Sequence, residues 1–385
     1  MSPEKVQHPA CSVIPLHMQR HLAEHGDDEV RERIASTLYH SRLITDGRAN
    51  ALRSTAAPPP FSNGKNRRVY DAGHSRRLPG KLVMADHRAV SSDVEAIEAF
   101  GGSGATFDFY ARTFFRNSID GKGMPLISTI HYGTKFDNAM WDGKQMIYGD
   151  GDGKLFNRFT AALDVIGHEL THGVTQFTAA LAYHDQSGAL NEHISDAFGI
   201  MVKQYTLGQT ASQSDWLIGA GLLGPNVRGN AIRSMKAPGT AYDDPLLGKD
   251  PQPAHMRGYV TGSDDNGGVH INSGIPNRAF YLAATALGGF TWVSVGRIWY
   301  RVLTEKLSPT AQFHDFALAT VAMAGELYGT GGQVQTTIAD AWSAVGLPVP
   351  PSLSKRTAVK PPRPANRPVR PVRRLRGVWR ERKAA

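Results

Sequence analysis

Cysteine is almost missing from this chain of 385 residues. The single one, Cys11, excludes an internal disulfide framework. Long apolar runs are missing too. None reaches the roughly 18 residues of a membrane-spanning helix. The opening Met-Ser-Pro-Glu-Lys-Val-Gln-His-Pro-Ala has no apolar h-region. No secretory signal is therefore expected, and the chain is expected to be cytoplasmic or exported by a signal-independent route. Gly101-Gly-Ser-Gly104 lacks a following Lys-Ser/Thr and reads as a loop, not a phosphate cradle. Gly149–Gly153 holds two aspartates but lacks the rest of a calcium-loop pattern, so a plain turn is expected. Acid is scarce at the end of the chain: Lys355–Lys383 holds twelve Lys/Arg against Glu381 alone. That segment carries +11 of a chain total of +9, which leaves −2 for the rest. The basic pI of about 9.6 is thus a property of the tail. Only Trp379 interrupts it with an aromatic ring, which argues against a nucleic-acid specialist. A solvated, disordered tail and an arm for anionic surfaces or polymers both remain open.

What is present is concentrated in Asp164-Val-Ile-Gly-His-Glu-Leu-Thr-His-Gly-Val-Thr-Gln176. On a helix, positions i and i+4 lie only about 40° apart around the axis. His168 and His172 therefore point the same way and can share one metal ion, with Glu169 beside it as a proton acceptor for an attacking water. Two imidazoles leave a metal underligated. Glu192, in Asn191-Glu-His-Ile-Ser-Asp196, would complete a His2Glu set that keeps one coordination position open, as a catalytic zinc requires. Glu192 and Asp196 again share a helix face, so Asp196 can accept the second ring N–H of a ligand, expected to be His168. Between the two motifs, Tyr183–Leu190 is a polar loop with a glycine.

The stretch His168–Asp196 resembles the thermolysin family of zinc metallopeptidases. The likeness continues in family order from about residue 68 to 348. Asn138-Ala-Met-Trp141 and Met146-Ile-Tyr-Gly-Asp-Gly-Asp-Gly153 resemble the family's substrate-binding edge strand and the turn after it. Ala231-Ile-Arg233 resembles its substrate-carbonyl arginine, and Asp265-Asn-Gly-Gly-Val-His270 its second catalytic histidine segment. The resemblance implies a zinc endopeptidase with one Zn2+ per chain. Glu169 is then the general base, His270 and Tyr183 stabilise the oxyanion, and Asp265 orients His270. Arg233 holds a substrate carbonyl, while Asn138 and Ala139 align the peptide as an added strand. Phe156, Phe159, Val165, Ile218 and Ile232 map onto the pocket for the residue after the scissile bond, which implies a bulky apolar preference there. A core-only role would also explain those five.

The implied fold is α+β and two-lobed, a thermolysin-like zincin. A β-rich lobe (68–185) and a helical lobe (186–348) are joined by the zinc-binding helix. Ile127–Gly133 and Gln145–Tyr148 are the clearest strands, and one helix is expected around Ser91–Arg116. Residues 1–50 resemble the short pro-region of the protealysin-like branch, through Cys11-Ser-Val-Ile-Pro15-Leu-His-Met18. Two short helices are expected there, the second repeating Val30, Ile34 and Leu38. This implies a latent precursor with the pro-region bound in cis, and Cys11 is either a zinc-directed thiolate or a small buried hydrophobe. Residues 51–67 read as an exposed Pro/Ser/Gly linker that holds the maturation cut, and 349–385 as the tail. A monomer is expected. One departure stands out. Where the family carries a double calcium site, the chain has Asp164, Lys203, Asp215, Leu217 and Ala220. Two aspartates beside an ammonium cannot supply calcium's six to eight oxygens, so that site is expected to be absent and Lys203 to bridge Asp164 and Asp215. A zinc-binding pseudo-enzyme and an anionic-polymer-binding protein remain as alternatives.

Overall fold

The computed structural model describes residues 11–51, 64–87 and 90–350. The tail from residue 351 on and most of the linker, where the maturation cut is expected, lie outside the described residues, and so does the side chain of Cys11. Val349, read as part of the tail, is buried in the core.

The chain opens with a two-residue strand β1 (Cys11–Ser12) and helices α1 (Leu16–His25) and α2 (Asp28–Ala51). The main body follows with β2 (Arg67–Asp71), β3 (Lys81–Ala85), α3 (Val94–Phe114), β4 (Leu126–Ile130), β5 (Ala139–Trp141) and β6 (Met146–Tyr148). These strands form one sheet in the order β1-β5-β6-β4-β2-β3. Its register places Cys11 opposite Trp141 and Ser12 opposite Met140, antiparallel. The pro-region thus supplies the edge strand of the body's own sheet.

The central pair is α4 (Leu163–Gln176) and α5 (Asp185–Leu207). Both carry a glycine where they meet. A Cβ on Gly199 would sit 2.5 Å from the Asp164 carbonyl oxygen and 3.0 Å from the His168 nitrogen. Backbone therefore packs on backbone one turn from the metal motif, and this contact sets how closely Glu192 approaches the histidines. A two-stranded ribbon, β7 (Leu217–Ile218) with β8 (Arg233–Ser234), follows. Helices α6 (Asp265–Asn272), α7 (Gly274–Leu287), α8 (Val295–Glu305), α9 (Phe313–Tyr328) and α10 (Gln333–Ala344) build the second lobe. Trp299 and Trp342 stack in its core, 6.1 Å between centroids. No helix among the described residues is long and apolar enough to cross a membrane.

Three further readings of the sequence are corrected. Gly101–Gly104 is not a loop but lies inside α3, which Asp93 caps by accepting from the Glu95 and Ala96 nitrogens. Its glycines make room: a Cβ on Gly102 would lie 2.4 Å from Ile166 Cδ1, and one on Gly104 2.3 Å from Arg67 Nη1. Close packing outweighs the roughly 1 kcal/mol that glycine costs a helix. The second pro-region helix is not short, since α2 runs 24 residues. And the linker's last residue, Arg67, already belongs to β2, anchored by Asp86 through its backbone nitrogen (2.9 Å) and its guanidinium.

Candidate active site

His168, Glu169 and His172 are buried on α4, and Glu192 faces them from α5. His168 Nε2 lies 3.0 Å from His172 Nε2 and 3.5 Å from Glu192 Oε2. His172 Nε2 lies 3.4 Å from Glu192 Oε1. Donors on a tetrahedral zinc with bonds near 2.1 Å are spaced by roughly 3.3–3.5 Å, so the set fits that ion. The outer ring nitrogens are already committed. His168 Nδ1 donates to Asp196 Oδ1 at 2.8 Å, and His172 Nδ1 to Asn191 Oδ1 at 2.9 Å. Both Nε2 lone pairs then point into one buried space together with Glu192 Oε2, which has no hydrogen-bond partner. Such a convergence calls for a cation.

Asp196 accepts far more than one ring N–H. Arg233 Nε and Nη2 donate to it at 2.9 and 2.8 Å, and Asn277 Nδ2 at 2.8 Å. Burial alone would raise its pKa. Arg233 and His168 outweigh that and hold it far below the ordinary carboxylate range. Asp265, Asn266, Gly267 and Gly268 take left-handed backbone angles at the start of α6. This tight turn folds Asp265 back onto His270: Oδ2 accepts from the His270 backbone nitrogen at 2.8 Å, Oδ1 from Nδ1 at 2.6 Å. Burial works against the charged imidazole, but Asp265 and then Glu192 raise its pKa to about 9. Tyr183 donates to Glu192 Oε1, with its oxygen 3.2 Å from His270 Nε2. The structure thus brings Glu169, Glu192, Tyr183, Asp265 and His270 to one place, as expected. The Trp141 backbone nitrogen donates to Glu169 Oε2 at 2.9 Å.

The pro-region enters this site as an extended strand. Val13 nitrogen donates to Ala139 oxygen at 3.2 Å, and Ile14 nitrogen to Asn138 Oδ1 at 3.1 Å. Arg233 Nη1 donates to Val13 oxygen at 3.4 Å, and His270 Nε2 to Ser12 oxygen at 3.1 Å. Asn138 Nδ2 also reaches Ser12 Oγ. Pro15 and Met18 are buried behind the strand. The helices are latched outside it by Arg33 on Asp137 (Nε–Oδ2 2.8 Å) and Lys135 on Glu32 (2.6 Å). Phe156, Phe159, Val165, Ile218 and Ile232 are all fully buried in the main core, which Val13 and Ile14 join. At the far end of α4, Lys203 Nζ lies 2.7 Å from Asp215 Oδ2 and 3.3 Å from Asp164 Oδ2.

Sequence reasoning missed several partners. Asn191 and Ser195, which lies 3.0 Å from His172 Nδ1, sit at i and i+4 on the face next to Glu192. That spacing could have found them. Asn277 and the Trp141 backbone come from distant segments, and no spacing announces them.

A family model for "Thermolysin metallopeptidase, catalytic domain" matches residues 54–176, and one for its alpha-helical domain matches 179–347. An extracellular metalloprotease of Pectobacterium carotovorum subsp. carotovorum is 49% identical over 348 residues, spanning 89% of this chain and 97% of that protein. Protease PrtS of a Photorhabdus species is 44% identical over 88% of this chain and 92% of its own. Among solved structures, the precursor of protealysin, a metalloproteinase from Serratia proteamaculans, superposes with a TM-score of 0.80 at 49% identity, covering 88% of this chain and all of that one. With both lobes matched by the family models and the helical pro-region included in the structural match, the chain belongs to the thermolysin family of zinc metallopeptidases, as a protealysin-like endopeptidase made in precursor form.

Proposed function

We propose that the assembled residues divide the work of peptide hydrolysis as follows. His168, His172 and Glu192 would hold one zinc ion, which when bound supplies Lewis-acid polarisation of the scissile carbonyl and of the attacking water. Glu169 takes the water's proton and passes it to the leaving amine. Charged His270 and Tyr183 donate to the developing oxyanion, each contributing on the order of 3 kcal/mol in the transition state. Asp265 positions His270 and keeps it charged. Arg233 grips the next carbonyl, while Asn138 and Ala139 read the backbone as an added strand. One observation carries this reading. The pro-strand already makes each of these backbone contacts, with its Ser12 carbonyl oxygen on His270 Nε2.

We further infer a preference for a bulky apolar residue after the scissile bond. Support comes from the buried, apolar character of Phe156, Phe159, Val165, Ile218 and Ile232, and from Val13, itself fully buried at the strand position whose carbonyl meets Arg233. The bridge of Lys203 to Asp164 and Asp215 supports replacement of the family's double calcium site by an ammonium. Latency follows from the same strand, since no substrate can add to β5 while β1 is there. Casein hydrolysis by linker-cleaved protein, with and without 1,10-phenanthroline and beside Glu169→Ala, tests the assignment. Near wild-type cleavage by Glu169→Ala would overturn it.

A further inference from the structure

The strand that blocks the site is presented to it as a substrate. Its backbone pairs antiparallel with β5 as an added strand. The contacts also define a register. The Ser12 carbonyl faces the residue assigned to the oxyanion, His270. The next amide, Val13 N–H, goes to Ala139, and the next carbonyl, that of Val13, to Arg233. The Val13 side chain is fully buried, and Ile14 N–H reaches Asn138. One peptide bond, Ser12–Val13, therefore stands where the assigned catalytic groups act. Beside it a cleft lined by Met140, Tyr183, Asp265 and His270 reaches the Ser12 side of the strand.

We propose that Ser12–Val13 is a second self-cleavage bond, distinct from the linker cut, and that its hydrolysis in cis breaks the inhibitory strand. The proposal rests on the proteolytic reading above. In the step, the oxygen of water bonds to the Ser12 carbonyl carbon and the Ser12–Val13 C–N bond breaks. Glu169 takes a proton from the water and delivers it to the Val13 nitrogen, and the water's second proton follows from the new carboxyl group to the same nitrogen. The products are a Ser12 carboxylate and a Val13 ammonium. The cut is slow because the strand is bound tightly in its ground state. α1 and α2 hold it through Arg33–Asp137, Lys135–Glu32 and the His21–Leu246 contact. Binding spent on the ground state does not lower the barrier. Once cut, Cys11–Ser12 is held among the described residues by its pairing with β5 and the Ser12 contacts to Asn138 and His270, without the anchoring helices, and the new carboxylate faces Glu169 and Glu192, so the upstream piece leaves.

The full-length chain, loaded with zinc, is followed by intact mass and N-terminal sequencing at two concentrations tenfold apart. Casein hydrolysis is read in parallel. The expected result is a species starting at Val13 that accumulates with a rate constant independent of concentration and is absent from Glu169→Ala. Val13→Leu, which keeps the N–H and enlarges the side chain, should raise that rate severalfold. Val13→Pro, which removes the N–H donated to Ala139, should lower it at least tenfold. Casein hydrolysis appearing while Ser12–Val13 stays intact overturns the proposal and leaves the protease reading standing. Casein left uncut after linker cleavage overturns both. A rate that scales with concentration, or the same terminus in Glu169→Ala, overturns cleavage in cis.

Discussion

The two ends of the α4–α5 pair use the same materials in opposite ways. At one end His168, His172 and Glu192 converge with both outer ring nitrogens committed and a carboxylate oxygen left without a donor. At the other, Asp164 and Asp215 converge on the Lys203 ammonium. Each end gathers electron-rich groups away from water, where unpaired charge is costly. One end is closed by a cation that the chain itself supplies, so it is structural. The other is faced by the His270 imidazolium, 3.7 Å from Glu192 Oε2, but its two converging Nε2 atoms leave it open to a metal and to chemistry. Lys203 also shows the cost of its position. Burial lowers its pKa, but Asp164 and Asp215 overcompensate and raise it above the ordinary lysine value. Asp164 is left raised, because burial outweighs what the lysine returns to it.

Breaking the open end should give the largest effect. Glu169→Ala should keep zinc, since the three ligands remain, and lose about 10²- to 10⁴-fold in casein hydrolysis. His172→Ala should lose both, read by metal analysis of the purified protein. Breaking the closed end should cost stability and not chemistry. Lys203→Ala strands two carboxylates, one of them fully buried, and should lower unfolding free energy by roughly 3–5 kcal/mol in a denaturant titration. A loss below about 1 kcal/mol would make it an ordinary surface pair. A calcium-selective chelator should leave the melting temperature of the wild type in place. A drop of many degrees would instead reveal a calcium site holding the fold.

Acid should act on the open end in a different way. His17 lies under the pro-strand with Nε2 on the Tyr242 hydroxyl and Nδ1 unpartnered. Burial, only partly offset by Asp265, lowers its pKa to about 4. An undocked His17 titrates near 6.5, so as pH falls the undocked state binds the proton first. Docking is then unaffected above about pH 6.5 and progressively weakened between there and about 4. At pH 5 the loss should be roughly 30-fold in the docking equilibrium, or about 2 kcal/mol. It would be read as the inhibitor constant of the pro-region in linker-cleaved protein and cancelled by His17→Asn. The smallest effect belongs to the tail. Deleting residues 352–385 should leave hydrolysis of a short neutral peptide unchanged and weaken retention on heparin or anionic vesicles in a salt-dependent manner. Unfolding of the body on deletion would contradict this.

The metal end was legible because its geometry is local. Helical periodicity alone brings His168 to His172 and Glu192 to Asp196, and the polar loop between them announces a turn. The Lys203 bridge was legible as a substitution pattern, since an ammonium in place of carboxylates has only the remaining aspartates to meet. Less visible was anything that depends on one backbone approaching another. Gly101–Gly104 reads as a loop from composition, yet it is the small-residue face that lets α3 lie against Ile166 and Arg67. The residues that bring Asn277 to Asp196, or the Trp141 amide to Glu169, share no spacing with their partners. Likewise, Pro15 and Met18 pointed to an inhibitory segment, but not to its register. That depends on which carbonyl meets His270 and which meets Arg233, and only the packing of α1 and α2 against the body sets it. The sequence by itself thus determined the chemistry available, because side-chain identity and helical period are local properties. The tertiary structure alone decided which peptide bond that chemistry faces, because strand register is the joint outcome of contacts scattered along the whole chain.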